Sequence, residues 1–399
     1  MSRIGVFGGT FAPFHKGHAQ GLAAFLKLAN LDRCLVIPSG IPPHKTKTAL
    51  FTDRQRLEMT TLACEGMEGV TVSDWEITRE GRSYTYKTLQ WLKEQYPDDR
   101  LVLFVGSDMF LTLHQWYHPE EIFALAEIAA FSRTGEDWEK LTAQAEALKE
   151  TFPEGKIRLY SEPPFPVSST EIREKWEQGK DLSDLLPPPV WEYLKFLRYQ
   201  QALQNRLSPF RMNHSLGVMK QAVELATIHG ADVTKARVAG LLHDMTKELD
   251  KEEHFRLFER YHFPVDEHLK ECKNLWHGPS ASLDITETFG ITDPEIASAI
   301  RYHTTAKADM TLLEAILYIA DLTDETRDYD DVDFYRALAR EDVYKACLVA
   351  LQWCKADLEQ RGLTPHRNML EAIDWLQTRY PNVCEASEKQ RLNYPTKGT

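Results

Sequence analysis

Arg3-Ile4-Gly5-Val6-Phe7 leads directly into Gly8-Gly9-Thr10-Phe11-Ala12-Pro13-Phe14-His15-Lys16-Gly17-His18. The first five residues read as a short buried strand, and from His18 to Leu28 apolar residues recur at helical spacing. Glycines at a strand-to-helix turn let the backbone approach a phosphate, and the helix start adds free N–H groups and a partial positive charge. The spacing is neither GxGxxG nor GxxxxGK[ST], so a hydride-transfer cofactor and a P-loop both lose their main support. What replaces them is a pair of histidines at i and i+3. They share one helix face, where both imidazoles reach a single phosphate group.

Outward from this loop, Cys34–Pro38 and Leu101–Val105 read as further strands. Asp53–Cys64, Thr85–Glu94 and Glu120–Ala126 read as helices, followed by a short helix at Val167–Lys175 and another at Leu185–Tyr199. Alternation of this kind predicts a Rossmann-like α/β domain, a parallel sheet with helices on both faces, over residues 1–199. Beyond it, Asn213–Gly230, Thr234–Leu249, Asp293–His303, Leu312–Asp321 and Val343–Arg361 carry only helical periodicity. An all-α domain is expected over residues 205–385, with a loose polar tail at 386–399.

A chain of 399 residues is too long for one ordinary core, which agrees with two domains. Its 47 basic and 60 acidic side chains give a net charge of −13, so nucleic acid is not an expected partner. The six cysteines form no CxxC pair, which argues against a disulfide framework and a thiolate zinc site. No signal-peptide pattern opens the sequence, and no apolar run is long enough to span a membrane. A cytoplasmic setting without a membrane partner is expected, and a homo-oligomer remains open.

GGTFxPxHxGH resembles the signature of the HxGH nucleotidylyltransferases. Further segments are similar to the nicotinate-nucleotide adenylyltransferases in particular: Pro42-Pro43-His44-Lys45, Asp53-Arg54, Ser83-Tyr84-Thr85, Gly106-Ser107-Asp108 ahead of Trp116-Tyr117, and Val167-Ser168-Ser169-Thr170 with Ile172-Arg173. Ala12 departs from the family's usual Asp. The resemblance implies that the phosphate of nicotinate mononucleotide attacks the α-phosphorus of ATP, itself brought with Mg²⁺, and releases pyrophosphate. It places Gly8, Gly9, Thr10 and Phe11 at the substrate, with His15, His18 and Lys45 on the triphosphate. Ser169, Thr170 and Arg173 would bind phosphate from a second helix start. Asp108 would hold a ribose hydroxyl or hydrated Mg²⁺, while Thr85 and Trp116 grip the pyridine carboxylate and ring. Arg133 is a further candidate, although a strand-end arginine is as often a solvated charge. Tyr84 and Trp91 are expected in the core or at its rim. The alternative acceptor is nicotinamide mononucleotide or another small phosphorylated compound.

The second half carries His214, then His243-Asp244 with Lys247, then His277, His303, and Asp321 with Arg327, each ending or interrupting an apolar helical run. Burying so many ionisable groups is costly unless a cation compensates. Read as a helix, His243 and Asp244 lie about 100° apart yet can reach one ion. His214 and Asp321 would complete its sphere, and His277 and His303 could hold a second ion. The ordered set resembles the HD superfamily of metal-dependent phosphohydrolases. AGLLHDMTKEL, LWHGPSA and AIRYHTTAKADMTLLEAILYIAD are similar to its YqeK-type branch. That resemblance implies symmetrical hydrolysis of dinucleoside polyphosphates such as diadenosine tetraphosphate to ADP, with Lys247 and Arg327 on phosphate. Mixed imidazole and carboxylate ligands suit Fe, Mn, Co or Zn, and the family implies iron. Two departures are Ala306 for the usual Gly and Asp324-Glu325 for the usual Glu-Pro. A nucleotide-sensing module is the alternative for this half. His229, His254, His262 and His268 fall outside the pattern and are expected at the surface.

Overall fold

Six parallel strands, β1 (Arg3–Gly9), β2 (Arg33–Pro38), β3 (Val70–Val72), β4 (Arg100–Gly106), β5 (Ala126–Ser132) and β6 (Ile157–Ser161), pair in the order β3-β2-β1-β4-β5-β6. They are seen in a computed structural model that describes residues 1–40, 50–132, 137–161 and 167–384. The Pro42-Pro43-His44-Lys45 segment, Arg133 and the tail at 386–399 lie outside the described residues. The chain divides between Lys195 and Phe196, within the helix Pro188–Gln204, into two units.

Strand geometry explains the layers of the first unit. Alternate side chains point to opposite faces of a sheet, so Val6, Leu35, Leu103 and Ile128 join one core with Leu89 and Leu92. Phe7, Val36, Val102 and Phe131 join the other with Leu22 and Phe25 of the helix Lys16–Leu28. Strand order reverses its direction of growth between β1 and β4. Ligands in folds of this class bind outside the carboxyl ends of the strands at such a reversal. The register Ile4 to Leu101 brings the ends of β1 and β4 side by side.

Three strands escape periodicity. β3 is three residues long, β6 is a half-exposed edge, and β5 is alanine-rich and begins where the sequence pattern continues a helix. That helix, Pro119–Leu125, stops before Ala126.

Among its described residues the second unit is helical, without strands. The helix Leu312–Thr323 is buried almost all round, from Leu313 through Ala320, so it sits centrally. It packs against Pro209–His229, Val233–Leu242, Pro294–Tyr302 and Val343–Gln360. One expectation is corrected here with consequences for the site. The helix expected to run from Thr234 to Leu249 ends at Leu242, and His243 follows as its cap. A second correction concerns His254, which is buried in the helix Lys251–Arg260 and hydrogen-bonds Ser280 Oγ at 2.7 Å. That helix is strongly amphipathic, and its inward face carries His254 and Phe258. Among the described residues no helix is long and apolar enough to cross a membrane. All six cysteines are free thiols.

Candidate active sites

In the first unit the glycine loop follows the carboxyl end of β1. Gly8 faces open space, whereas a Cβ on Gly9 would lie 2.6 Å from the Phe11 ring. Phe11 has its side chain buried, stacked on Phe7 and tilted against Phe14. Its φ of 47° bends the chain back toward the helix start.

His15 caps the helix Lys16–Leu28 in an unusual reciprocal box. The His18 amide donates to His15 Nδ1 at 3.3 Å, and the His15 amide donates to His18 Nδ1 at 3.2 Å. The rings stack with centroids 3.5 Å apart. Because each Nδ1 accepts a backbone hydrogen, each neutral ring carries its own hydrogen on Nε2. The helix start therefore presents two imidazole donors of fixed tautomer.

Two arginines tie other segments to this loop. Arg173, in the helix Ser169–Glu177, donates to the Ala12 carbonyl at 3.1 Å and to Thr170 Oγ1 at 3.0 Å. This brings the second helix start, with Ser169 and Thr170 in its first turn, to the glycine loop. Arg56 is buried and donates to the Thr10 and Ser39 carbonyls, both at 2.6 Å, and to Asp53 at 2.9 Å. It locks the end of β1 to the end of β2. Only its place in the amphipathic pattern of Asp53–Cys64 hints at this, because a buried arginine there breaks the apolar face.

Asp108 is exposed at the start of the short helix after β4. Thr85 and Trp116 line one cavity of about 450 Å³ with Tyr84, Tyr117 and Arg82. Tyr84 is thus at a cavity wall, while Trp91 stacks on Trp75 at 4.7 Å between centroids.

In the second unit His214, His243, Asp244, His277, His303 and Asp321 converge. Three overlapping triads, His214/His243/Asp244, His243/His303/Asp321 and Asp244/His277/His303, each place their ligand atoms within 4.8 Å of one another. The elements aim these groups in a repeated way. His243 and His303 each cap the C-terminal end of a helix, and each donates Nδ1–H to the carbonyl three residues back. The acceptors are Gly240 O at 2.8 Å and Ile300 O at 2.7 Å. Last-turn carbonyls lack helical partners, and using them fixes both tautomers with the Nε2 lone pair turned inward. His243 and Asp244 thus project from a turn past the helix end, not from its side.

The donor set passes a direct test for a cation. Among the described residues His243 Nε2 is buried without a hydrogen-bond partner, 3.8 Å from Asp244 Oδ1 and 4.0 Å from Asp321 Oδ1. His277 Nε2 lies 3.0 Å from His303 Nε2, 3.1 Å from Asp244 Oδ1 and 2.9 Å from Lys247 Nζ, so it sits amid the converging groups. Burial pushes His243 down to about 4 and His277 to about 3, so both are neutral ligands at pH 7. Burial opposes charge on His214 as well, but its hydrogen bonds to Asp321 and Asp324 win and raise it to about 9. Burial also works against the charge on Asp244 and Asp321. The surrounding imidazoles nevertheless hold both far below the usual carboxylate range, with Arg327 helping at Asp321.

Around the cage stand Lys247 Nζ, 3.6 Å from Asp244, Arg327, 2.6 Å from Asp321, and Arg211, 3.6 Å from Asp244. Arg211 lies outside the ordered H…HD pattern, and its one sequence signal is the i, i+3 spacing to His214. Asp324, one of the two departures, is fully buried, 3.3 Å from His214 Nδ1 and 3.2 Å from Arg327 Nε. It backs His214 as carboxylates commonly back metal-binding imidazoles. The other departure, Ala306, sits at φ 54°, the left-handed region that favours glycine.

Comparison with known proteins agrees with this division. A cytidylyltransferase-like family model matches residues 6–175, and an HD domain model matches residues 211–326. A "Probable nicotinate-nucleotide adenylyltransferase" of Clostridium tetani is 34% identical over 49% of this chain and 97% of its own length. One from Neisseria meningitidis is 36% identical over 49% of this chain and 96% of its own. A solved Clostridium acetobutylicum structure, described as a predicted HD superfamily hydrolase involved in NAD metabolism, is 35% identical. It covers 46% of this chain and 97% of that one, with a TM-score of 0.45. Through its N-terminal half the chain belongs to the nicotinate-nucleotide adenylyltransferase family, and its C-terminal half carries an HD domain.

Proposed function

We propose that the chain is a cytoplasmic bifunctional enzyme that makes deamido-NAD and cleaves dinucleoside polyphosphates. In the first reaction a phosphate oxygen of nicotinate mononucleotide attacks the α-phosphorus of ATP. The new P–O bond forms as the bond to pyrophosphate breaks. The interlocked imidazoles of His15 and His18 carry this reading, since two Nε2–H donors at one helix start suit the charge that builds on the triphosphate. Arg173, Ser169 and Thr170 bind phosphate beside them, Lys45 and Arg133 are further candidates, and Asp108 meets the ribose or the Mg²⁺ that ATP brings. The cavity at Thr85 and Trp116 takes the pyridine. No protein nucleophile is required, because positioning and charge stabilisation carry phosphoryl-type transfer.

In the second reaction water attacks a bridging phosphorus of a substrate such as diadenosine tetraphosphate and two ADP leave. One or two divalent transition-metal ions held by His214, His243, Asp244, His277, His303 and Asp321, iron by resemblance to the YqeK-type branch, supply Lewis acidity. Arg211, Lys247 and Arg327 balance Asp244, Asp321 and Asp324, so each divalent ion leaves the cage net positive. That is the sign a polyphosphate chain requires.

The test is His243→Ala with Asp244→Ala in the full chain. Bound metal and ADP release should vanish while ATP-dependent dinucleotide synthesis persists. Loss of both activities in a folded protein contradicts separate sites. Faster turnover of nicotinamide than of nicotinate mononucleotide would overturn the acceptor assignment.

A further inference from the structure

A cavity of about 690 Å³ reaches the cage at His303 and Asp321. Its size is that of a pocket that encloses a small organic molecule, far beyond what a phosphate chain needs. Trp353, Leu322 and Leu358 supply an apolar wall. Trp353 is 40% exposed on the helix Val343–Gln360, whose apolar residues from Cys347 to Leu351 are buried. An indole left against a cavity offers a flat surface for an aromatic ring. Arg361 and His366 add polar groups to the cavity's lining. A planar aromatic body with a polar edge fits these walls, and a nucleoside has that chemistry.

Resting on the hydrolase reading above, we infer that this cavity binds one nucleoside of the substrate, with its base against Trp353 and its phosphate at the cage. The site would therefore read a nucleoside polyphosphate and not merely a polyphosphate chain.

The test uses the full chain loaded with Co²⁺, whose visible spectrum reports ligands arriving at the cage and is blind to nucleotide binding in the first unit. ADP and tripolyphosphate are titrated separately into the unsubstituted protein, Trp353→Ala and Trp353→Phe. Stacking of a base on an aromatic side chain is lost on truncation to alanine. The half-saturating ADP concentration should therefore rise about 10-fold in Trp353→Ala and stay near its original value in Trp353→Phe. Tripolyphosphate should titrate alike in all three. Equal ADP affinity across the series, or an equal loss for ADP and tripolyphosphate, overturns the nucleoside pocket and leaves the hydrolase reading standing. A spectrum that neither ligand perturbs in the unsubstituted protein overturns both.

Discussion

Replacing Arg56 by methionine should loosen the first site without touching a substrate-facing group. The side chain is 2% exposed and spans two loops, with bonds of 2.6 Å to Thr10 O and 2.6 Å to Ser39 O. A hydrogen bond from a charged donor contributes about 1.5–3 kcal/mol, so these two supply about 3–6 kcal/mol. The Asp53 carboxylate is 43% exposed, and its contact adds under about 1 kcal/mol. Methionine keeps the apolar stem and recovers part of the loss, which leaves about 4 kcal/mol. Local opening of the ends of β1 and β2 should then be about a thousand-fold more frequent. Hydrogen exchange resolved by peptide should show this over residues 3–18 and 33–39. Pyrophosphate release from ATP and nicotinate mononucleotide should fall about 100-fold, the usual cost of small misplacements in a transfer site. Arg56→Lys keeps the charge but not the fork that serves two diverging carbonyls, and should fall between. Wild-type exchange together with turnover within a factor of three in Arg56→Met would refute the clamp.

Asp324→Asn should weaken metal binding about 10- to 100-fold by removing the charge behind His214. Competition with a chromophoric chelator checks this, and synthesis of the dinucleotide should be unchanged. Gly8→Ala meets nothing within 4 Å and should leave melting unaltered while raising the KM for ATP. Gly9→Ala collides with Phe11 and should cost about 1–3 kcal/mol of stability, read by denaturant unfolding of the first unit. His254 is held down to about 4 by burial, helped by Lys247 and Lys273 and opposed by Asp250 and Glu253. Its folded pKa is depressed, so the unfolded chain takes up the proton first as pH falls below 6.5. The second unit should therefore lose stability between pH 6.5 and 4, and His254→Leu should flatten that slope in pH-resolved melting curves.

Local chemistry alone made much of the first site legible. A glycine turn after an apolar run and two histidines at i, i+3 are short-range features, and the chain folds them as such. The six HD-type residues were legible for a related reason, since each interrupts an apolar helical run where an ionisable group is costly. Packing decided the rest. His243 lies past a helix end because the last-turn carbonyl of Gly240 holds its Nδ1–H, and periodicity does not register where a helix stops. Arg56 and Arg211 carry no motif, Asp324 showed only as a departure from one, and His254 looked like any helical surface residue. Their roles come from partners far along the chain, brought within hydrogen-bonding reach only when the cores close. The alanine-rich β5 is a strand because β4 and β6 flank it, not because its own residues favour one.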